Sequence, residues 1–203
     1  MQTQIVYEDE AVLVIRKPAG LATESAGIGQ KDVVSELKNY VAKKNPGKMP
    51  YLGVVHRLDQ PVEGLLVFAK TKKAADNLTA QLGKGTLKKE YLAVVKDAAD
   101  TQAKKAVLSY TKKAETEKFT LLAVQIETGR FHQIRAQLSH AGFPILGDEK
   151  YGSEESKELS REKKIRFTAL CAASLSFRHP VTGKTMAFTQ APQNPAFAEF
   201  VIE

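Results

Sequence analysis

The 203-residue chain is short of the features that mark a secreted, membrane-bound or metal-built protein. Its one cysteine, Cys171, excludes an internal disulfide framework and suits a reducing compartment. No apolar run approaches the roughly 20 residues of a membrane-spanning helix. The start, Met1 to Glu10, has neither a basic head nor an apolar stretch of signal length. The histidines are His56, His132, His140 and His179, and no two stand at the spacing of a zinc site. Gly27-Ile28-Gly29 is not followed by the lysine and hydroxyl residue of a phosphate loop. No metal and no cofactor is therefore expected. Internal repeats and low-complexity tracts are lacking too.

Basic residues are in excess, 30 Lys and Arg against 23 Asp and Glu, for a formal net charge of +7. That balance favours a polyanionic partner. A hydrophobic content of 43% over this length suits one globular domain, residues 1–203. With no targeting or spanning segment in view, the expectation is a cytoplasmic monomer that does not enter a membrane.

Short apolar runs alternate with turns and a few helical patterns. Ala11 to Ile15 reads as a buried strand closed by the Pro18 and Gly20 turn. Val33, Val34, Leu37, Tyr40 and Val41 recur at helical spacing behind Asp32, a natural N-cap, and Pro46-Gly47 ends that helix. Leu65 to Ala69 reads as a core strand, Lys72 to Leu82 as an amphipathic helix ended at Gly83, and Tyr91 to Val95 as a further strand. Phe119 to Ile126 is a strand running into the Gly129 turn, and the spacing of Phe131, Ile134, Leu138 and His140 predicts a helix that stops at Gly142. Leu175 to Phe177 and Met186 to Thr189 flank Pro180-Val181-Thr182-Gly183, a hairpin signature. The pattern predicts an α+β fold with a mostly antiparallel sheet.

One segment stands out. His56-Arg57-Leu58-Asp59 puts a carboxylate just before the apolar run Leu65 to Ala69. A carboxylate beside a low-dielectric core loses hydration and needs a cationic or hydrogen-bonding partner. Gly129-Arg130-Phe131-His132-Gln133-Ile134-Arg135 supplies arginines from a distant part of the chain. Arg135 is the better ion-pair partner for Asp59, because a guanidinium stays charged and binds carboxylate bidentately. On these residues alone, an assembled active site and a structural Asp–Arg pair pinning two segments are both open.

These motifs resemble, in order, those of the RluA-type family of RNA pseudouridine synthases. Lys17-Pro18-Ala19-Gly20-Leu21 looks like the opening motif, and His56 to Asp59 with Gly64-Leu65-Leu66 like the central one. Lys89 to Val95 looks like the strand that carries the family's tyrosine, here Tyr91. Gly129 to Arg135, with Gly142 to Asp148 and Tyr151-Gly152, resembles the long C-terminal motif, and Ser174 to Gly183 the closing hairpin. Two places depart from the pattern. Val62 and Glu63 replace the usual hydroxyl residues before Gly64, and Phe131 and Gln137 stand where Thr and His are common. Glu63 adds negative charge where a phosphate would pass.

The resemblance implies a curved, mostly antiparallel sheet split by a central catalytic cleft and flanked by helices, with RNA as substrate. It implies Asp59 as the catalytic carboxylate, Arg135 as its partner, and Tyr91 stacked on the flipped uracil. Arg57 would reach into the RNA stack where the uridine leaves. His56 and Ile134 would shape the pocket, while Arg130, His132 and Gln133 would contact RNA or support those that do. Lys17, Lys70, Lys72, Lys73, Lys88 and Lys89 lie beside the motifs and could line the RNA backbone. Ala98 to Lys105 and Ser153 to Arg166 read as a solvated loop or exposed helix, the mixed charge of the second arguing against an RNA-touching arm. Relatives often carry a small RNA-binding domain before the opening motif. Here that motif begins near the start, so recognition is expected from the catalytic domain or a partner. The competing function is an RNA-binding protein or chaperone on the same fold, which would need the basic surface but not the carboxylate.

Overall fold

The computed structural model describes all residues except 26, 28, 45, 48, 97–107 and 201–203. Ile28 of the Gly27–Gly29 turn and the stretch Ala98 to Lys105 thus lie outside the described residues. The chain forms two compact units, Met1–Lys88 with Ser174–Gln190, and Lys89–Ala173 with Ala191–Glu203.

In the first unit β2 (Val12–Lys17) lies between β1 (Gln4–Glu8) and β4 (Glu63–Ala69), antiparallel to both. The short β3 (Gly53–Val54) also pairs with β4. The register sets Val14 opposite Val67 and Val12 opposite Ala69. Side chains alternate across a strand, so these residues share one face. With Leu65, Ala74, Leu78, Leu175 and Phe177 they form an apolar cluster. Leu13, Ile15, Leu66 and Phe68 point to the opposite face and are equally buried, which explains why both strands read as near-continuous apolar runs. Helix α1 (Val33–Lys44) starts where Asp32 accepts the N–H of Ser35, as its sequence predicts. α2 (Lys72–Gly83) starts where the Thr71 hydroxyl accepts the N–H of Ala74.

The second unit is built on β7 (Phe119–Ile126), paired antiparallel with β5 (Lys88–Lys96) on one side and β6 (Leu108–Glu115) on the other. α3 (Gln133–His140) and α4 (Glu154–Glu162) belong to this unit, α4 being the exposed-helix form of the Ser153 to Arg166 stretch. Gly147 precedes Asp148 with φ of 72°, and a Cβ there would lie 2.2 Å from the Phe167 carbonyl oxygen. Only glycine fits that approach. β8 (Leu170–Arg178) is shared out by sequence, Leu170 to Ala173 to the second unit and Ser174 onward to the first, where it pairs antiparallel with β9 (Thr185–Thr189). The chain is α+β with predominantly antiparallel ladders, in line with the sequence pattern.

Candidate active site

Asp59 sits half-buried on the loop between β3 and β4, and that loop is tied down from the opening motif. The Thr23 hydroxyl donates to the Leu58 carbonyl (2.8 Å) and accepts the Leu58 N–H (3.2 Å). Gly20 N–H donates to the Gln60 carbonyl (2.8 Å), and the Gln60 amide returns a bond to the Gly20 carbonyl (3.0 Å). Gly20 makes this turn at φ of 87°. Val67 N–H donates to Nε2 of the buried His56 (3.3 Å), anchoring the other end of the motif to β4.

Lys17 corrects an expectation. It is not beside an RNA backbone but wholly inside, with no exposed surface. Its Nζ donates to the carbonyls of Leu21 (2.6 Å), Pro18 (3.0 Å) and Gln60 (3.2 Å), one acceptor for each N–H of an ammonium. Burial pulls its pKa down to about 7, against the opposing fields of Asp59 and Glu63. Glu63 is likewise buried rather than set on a phosphate path. Lys70 is committed to Asp9 O and Glu8, and Lys89 is half-buried with its pKa lowered by burial. Lys72, Lys73 and Lys88 are exposed. Arg57 is exposed too, in a 3.2 Å surface pair with Glu24.

In the second unit α3 carries Ile134 and Arg135, both buried. Arg135 makes a fork-like pair with Asp148, Nε to Oδ2 at 2.6 Å and Nη2 to Oδ1 at 2.7 Å. Oδ1 also accepts the N–H groups of Lys150 and Tyr151. Burial alone would raise the Asp148 pKa, but Arg135 and these N–H groups outweigh it and hold the carboxyl below its usual range. Gln133 is buried, and its side-chain Oε1 accepts from Thr128 Oγ1 and Arg130 N. Arg130 is exposed, and Tyr91 is buried on β5 opposite Val124.

His132 occupies the N-cap of α3 in the left-handed region (φ 52°), and its side chain makes no capping bond. Instead its ring stacks on Phe131 (centroids 3.7 Å apart) and meets Tyr151 edge-on, with Nδ1 3.2 Å from the Tyr151 hydroxyl. Phe131 is 80% exposed. Lys150 Nζ lies 5.6 Å from the Phe131 ring centroid and 5.4 Å from that of Tyr151.

A family model described as RNA pseudouridylate synthase matches residues 11–140, the larger part of the chain. The chain is 33% identical to "Ribosomal large subunit pseudouridine synthase D" of Zymomonas mobilis, over 94% of its own length and 70% of that protein. It is 35% identical to the protein of the same name in Pseudomonas aeruginosa, over 92% and 67% of the two chains. The chain belongs to the RNA pseudouridylate synthase family. Its fold is that of "Human RNA Pseudouridylate Synthase Domain Containing 4", which superposes with a TM-score of 0.73 at 22% identity, covering 94% of this chain and 89% of that one.

As a pseudouridine synthase the chain is an isomerase acting on RNA. The reaction breaks an N-glycosidic bond and rejoins the same base through carbon, so no group is gained or lost overall. Among the described residues no helix is long and apolar enough to cross a membrane. Sequence reasoning missed three participants in the site's construction. Thr23 lies outside any charge or aromatic pattern that would mark a loop clamp, and Lys17, though part of the opening motif, was expected beside RNA rather than inside. Asp148 is visible in the sequence as an acidic residue after Gly147, but nothing local ties it to Arg135.

Proposed function

We propose that the protein isomerises specific uridines of ribosomal or transfer RNA, with Asp59 as the catalytic residue. The names of the relatives favour large-subunit ribosomal RNA. The observation that carries the reading is the clamping of the Asp59 loop by Thr23, Gly20 and Lys17, which fixes the backbone on both sides of one half-buried carboxylate. Holding a reacting group in place ahead of substrate lowers the entropic part of the barrier. Asp59 then either adds to the sugar C1′ or removes a sugar proton.

Tyr91 stacks on the flipped uracil, and Arg135 is the arginine that serves the reaction beside it. Arg57, exposed within the central motif, fills the gap left by the uridine, and Arg130 and His132 contact the RNA. Residues 1–203 act as one catalytic domain in this reading. The protein works as a cytoplasmic monomer and needs no cofactor. Mapping pseudouridines in cellular RNA with and without the protein identifies the target. An unchanged map, alongside RNA binding, would instead favour a binding or chaperone role.

A further inference from the structure

We infer that Phe131 is a stacking platform for an unpaired base of the substrate RNA, with Lys150 beside it to meet the adjoining phosphate. The inference rests on the reading of the chain as an RNA uridine isomerase and adds a recognition residue to it. A phenyl ring normally lowers its free energy by leaving water, yet Phe131 remains 80% exposed. It is nevertheless built in. Its ring lies 3.7 Å from His132 at an interplanar angle of 20°, and His132 is in turn braced by Tyr151.

The backbone gives independent support. His132 holds a left-handed conformation at the N-cap of α3 without using its side chain to cap the helix. Non-glycine residues occupy that region at a cost, and such strain collects at functional sites. Here the outcome of the strained turn is an ordered ring stack ending in an outward-facing aromatic. Every base has a π-face, and aromatic rings flanked by cations are the general device for holding unpaired nucleotides. Lys150 is exposed and its Nζ lies 5.6 Å from the Phe131 ring centroid. Phe131 also stands just before the His132 N-cap of α3, whose first turn carries the buried Ile134 and Arg135, so a base held there would lie beside the segment that the family resemblance assigns to the pocket.

The chain contains no tryptophan, which makes the test direct. Phe131→Trp places a single tryptophan at the platform, excited selectively on the red edge beyond the tyrosines, and Val181→Trp places one at a comparably exposed position, 72%, in the first unit. Each variant is titrated with a uridine-containing ribosomal RNA transcript, with anisotropy of the labelled RNA reporting binding and nucleoside analysis reporting pseudouridine. Stacking predicts that emission from Phe131→Trp falls at least about twofold on saturation while emission from Val181→Trp does not. Phe131→Ala should raise KM about tenfold, with a smaller fall in kcat, and Phe131→Tyr should restore it. Bound RNA with unchanged emission from Phe131→Trp, or a wild-type KM in Phe131→Ala, overturns the platform. Quenching of the indole at position 131 by an RNA that is bound but never isomerised keeps the platform and overturns the isomerase reading. Pseudouridine formed while that indole stays unquenched does the reverse.

Discussion

Lys17 donates through Nζ to the carbonyl oxygen of Gln60 at 3.2 Å, and Gln60 is the residue after Asp59. A buried lysine from the end of β2 thus holds the backbone beside the carboxylate assigned to catalysis. The same Nζ binds the Pro18 and Leu21 carbonyls, so the opening motif and the central motif form one hydrogen-bonded body.

That burial makes stability depend on pH in a definite direction. In the unfolded chain Lys17 titrates at its ordinary 10.5, and in the folded chain at about 7. Between those values the unfolded chain holds the proton and the folded chain does not, so stability should rise with pH across that window. Lys17→Met removes the titrating group. Urea midpoints compared at about pH 7 and about pH 10 should rise in the wild type and stay closer to flat in the variant. Parallel slopes in the two proteins would contradict the assignment.

The two arginines should separate cleanly. Arg135→Ala leaves the buried Asp148 carboxylate without its guanidinium and should cost about 3–5 kcal/mol of stability. Arg57→Ala removes an exposed pair with Glu24 and should cost less than about 1 kcal/mol, while lowering activity on RNA. Equal losses in denaturant titrations would break this division of roles.

Asp148 carries an acid-side prediction. Its folded pKa is depressed, so its stabilising contribution is complete above the unfolded carboxyl value, about 3.9, and fades as pH falls through the lower folded one. Asp148→Asn should be less stable than wild type at neutral pH, and the gap should narrow on acidification. A constant gap from neutral pH to about pH 2 would contradict it.

The strands β2 and β4 were legible because both their faces are buried, leaving near-continuous apolar runs. α1 announced itself through Asp32 at its start and α2 through its amphipathic spacing, whereas the Thr71 cap of α2 was not read. β6 was not legible: Leu108 to Glu115 is largely polar and exposed, and its extended form is imposed by pairing with β7. β1 is similarly half-exposed and depends on β2. The family motifs pointed to Asp59, Tyr91 and Arg135 as site residues, and that assignment rests on the resemblance. What they concealed was the inward turn of Lys17 and Glu63, since charged side chains default to the surface and only tertiary partners reverse that.

Thr23 offers a finer test of the clamp. Thr23→Val keeps the shape but leaves the buried Leu58 N–H and carbonyl without this partner, at a cost of about 1–3 kcal/mol. The loop should also loosen around Asp59, so kcat should fall more than KM rises. A variant with wild-type kcat would show that the clamp serves folding alone.

The most direct test is turnover by Asp59→Asn. Because the new glycosidic bond forms at a ring carbon, RNA carrying uridine tritiated at that carbon releases its label as pseudouridine is made. With purified protein and a transcript that the wild type modifies, Asp59→Asn should fold normally, retain most RNA binding, and release tritium at least about a hundredfold more slowly. Release at a rate close to wild type would contradict the assignment of Asp59 as the catalytic carboxylate.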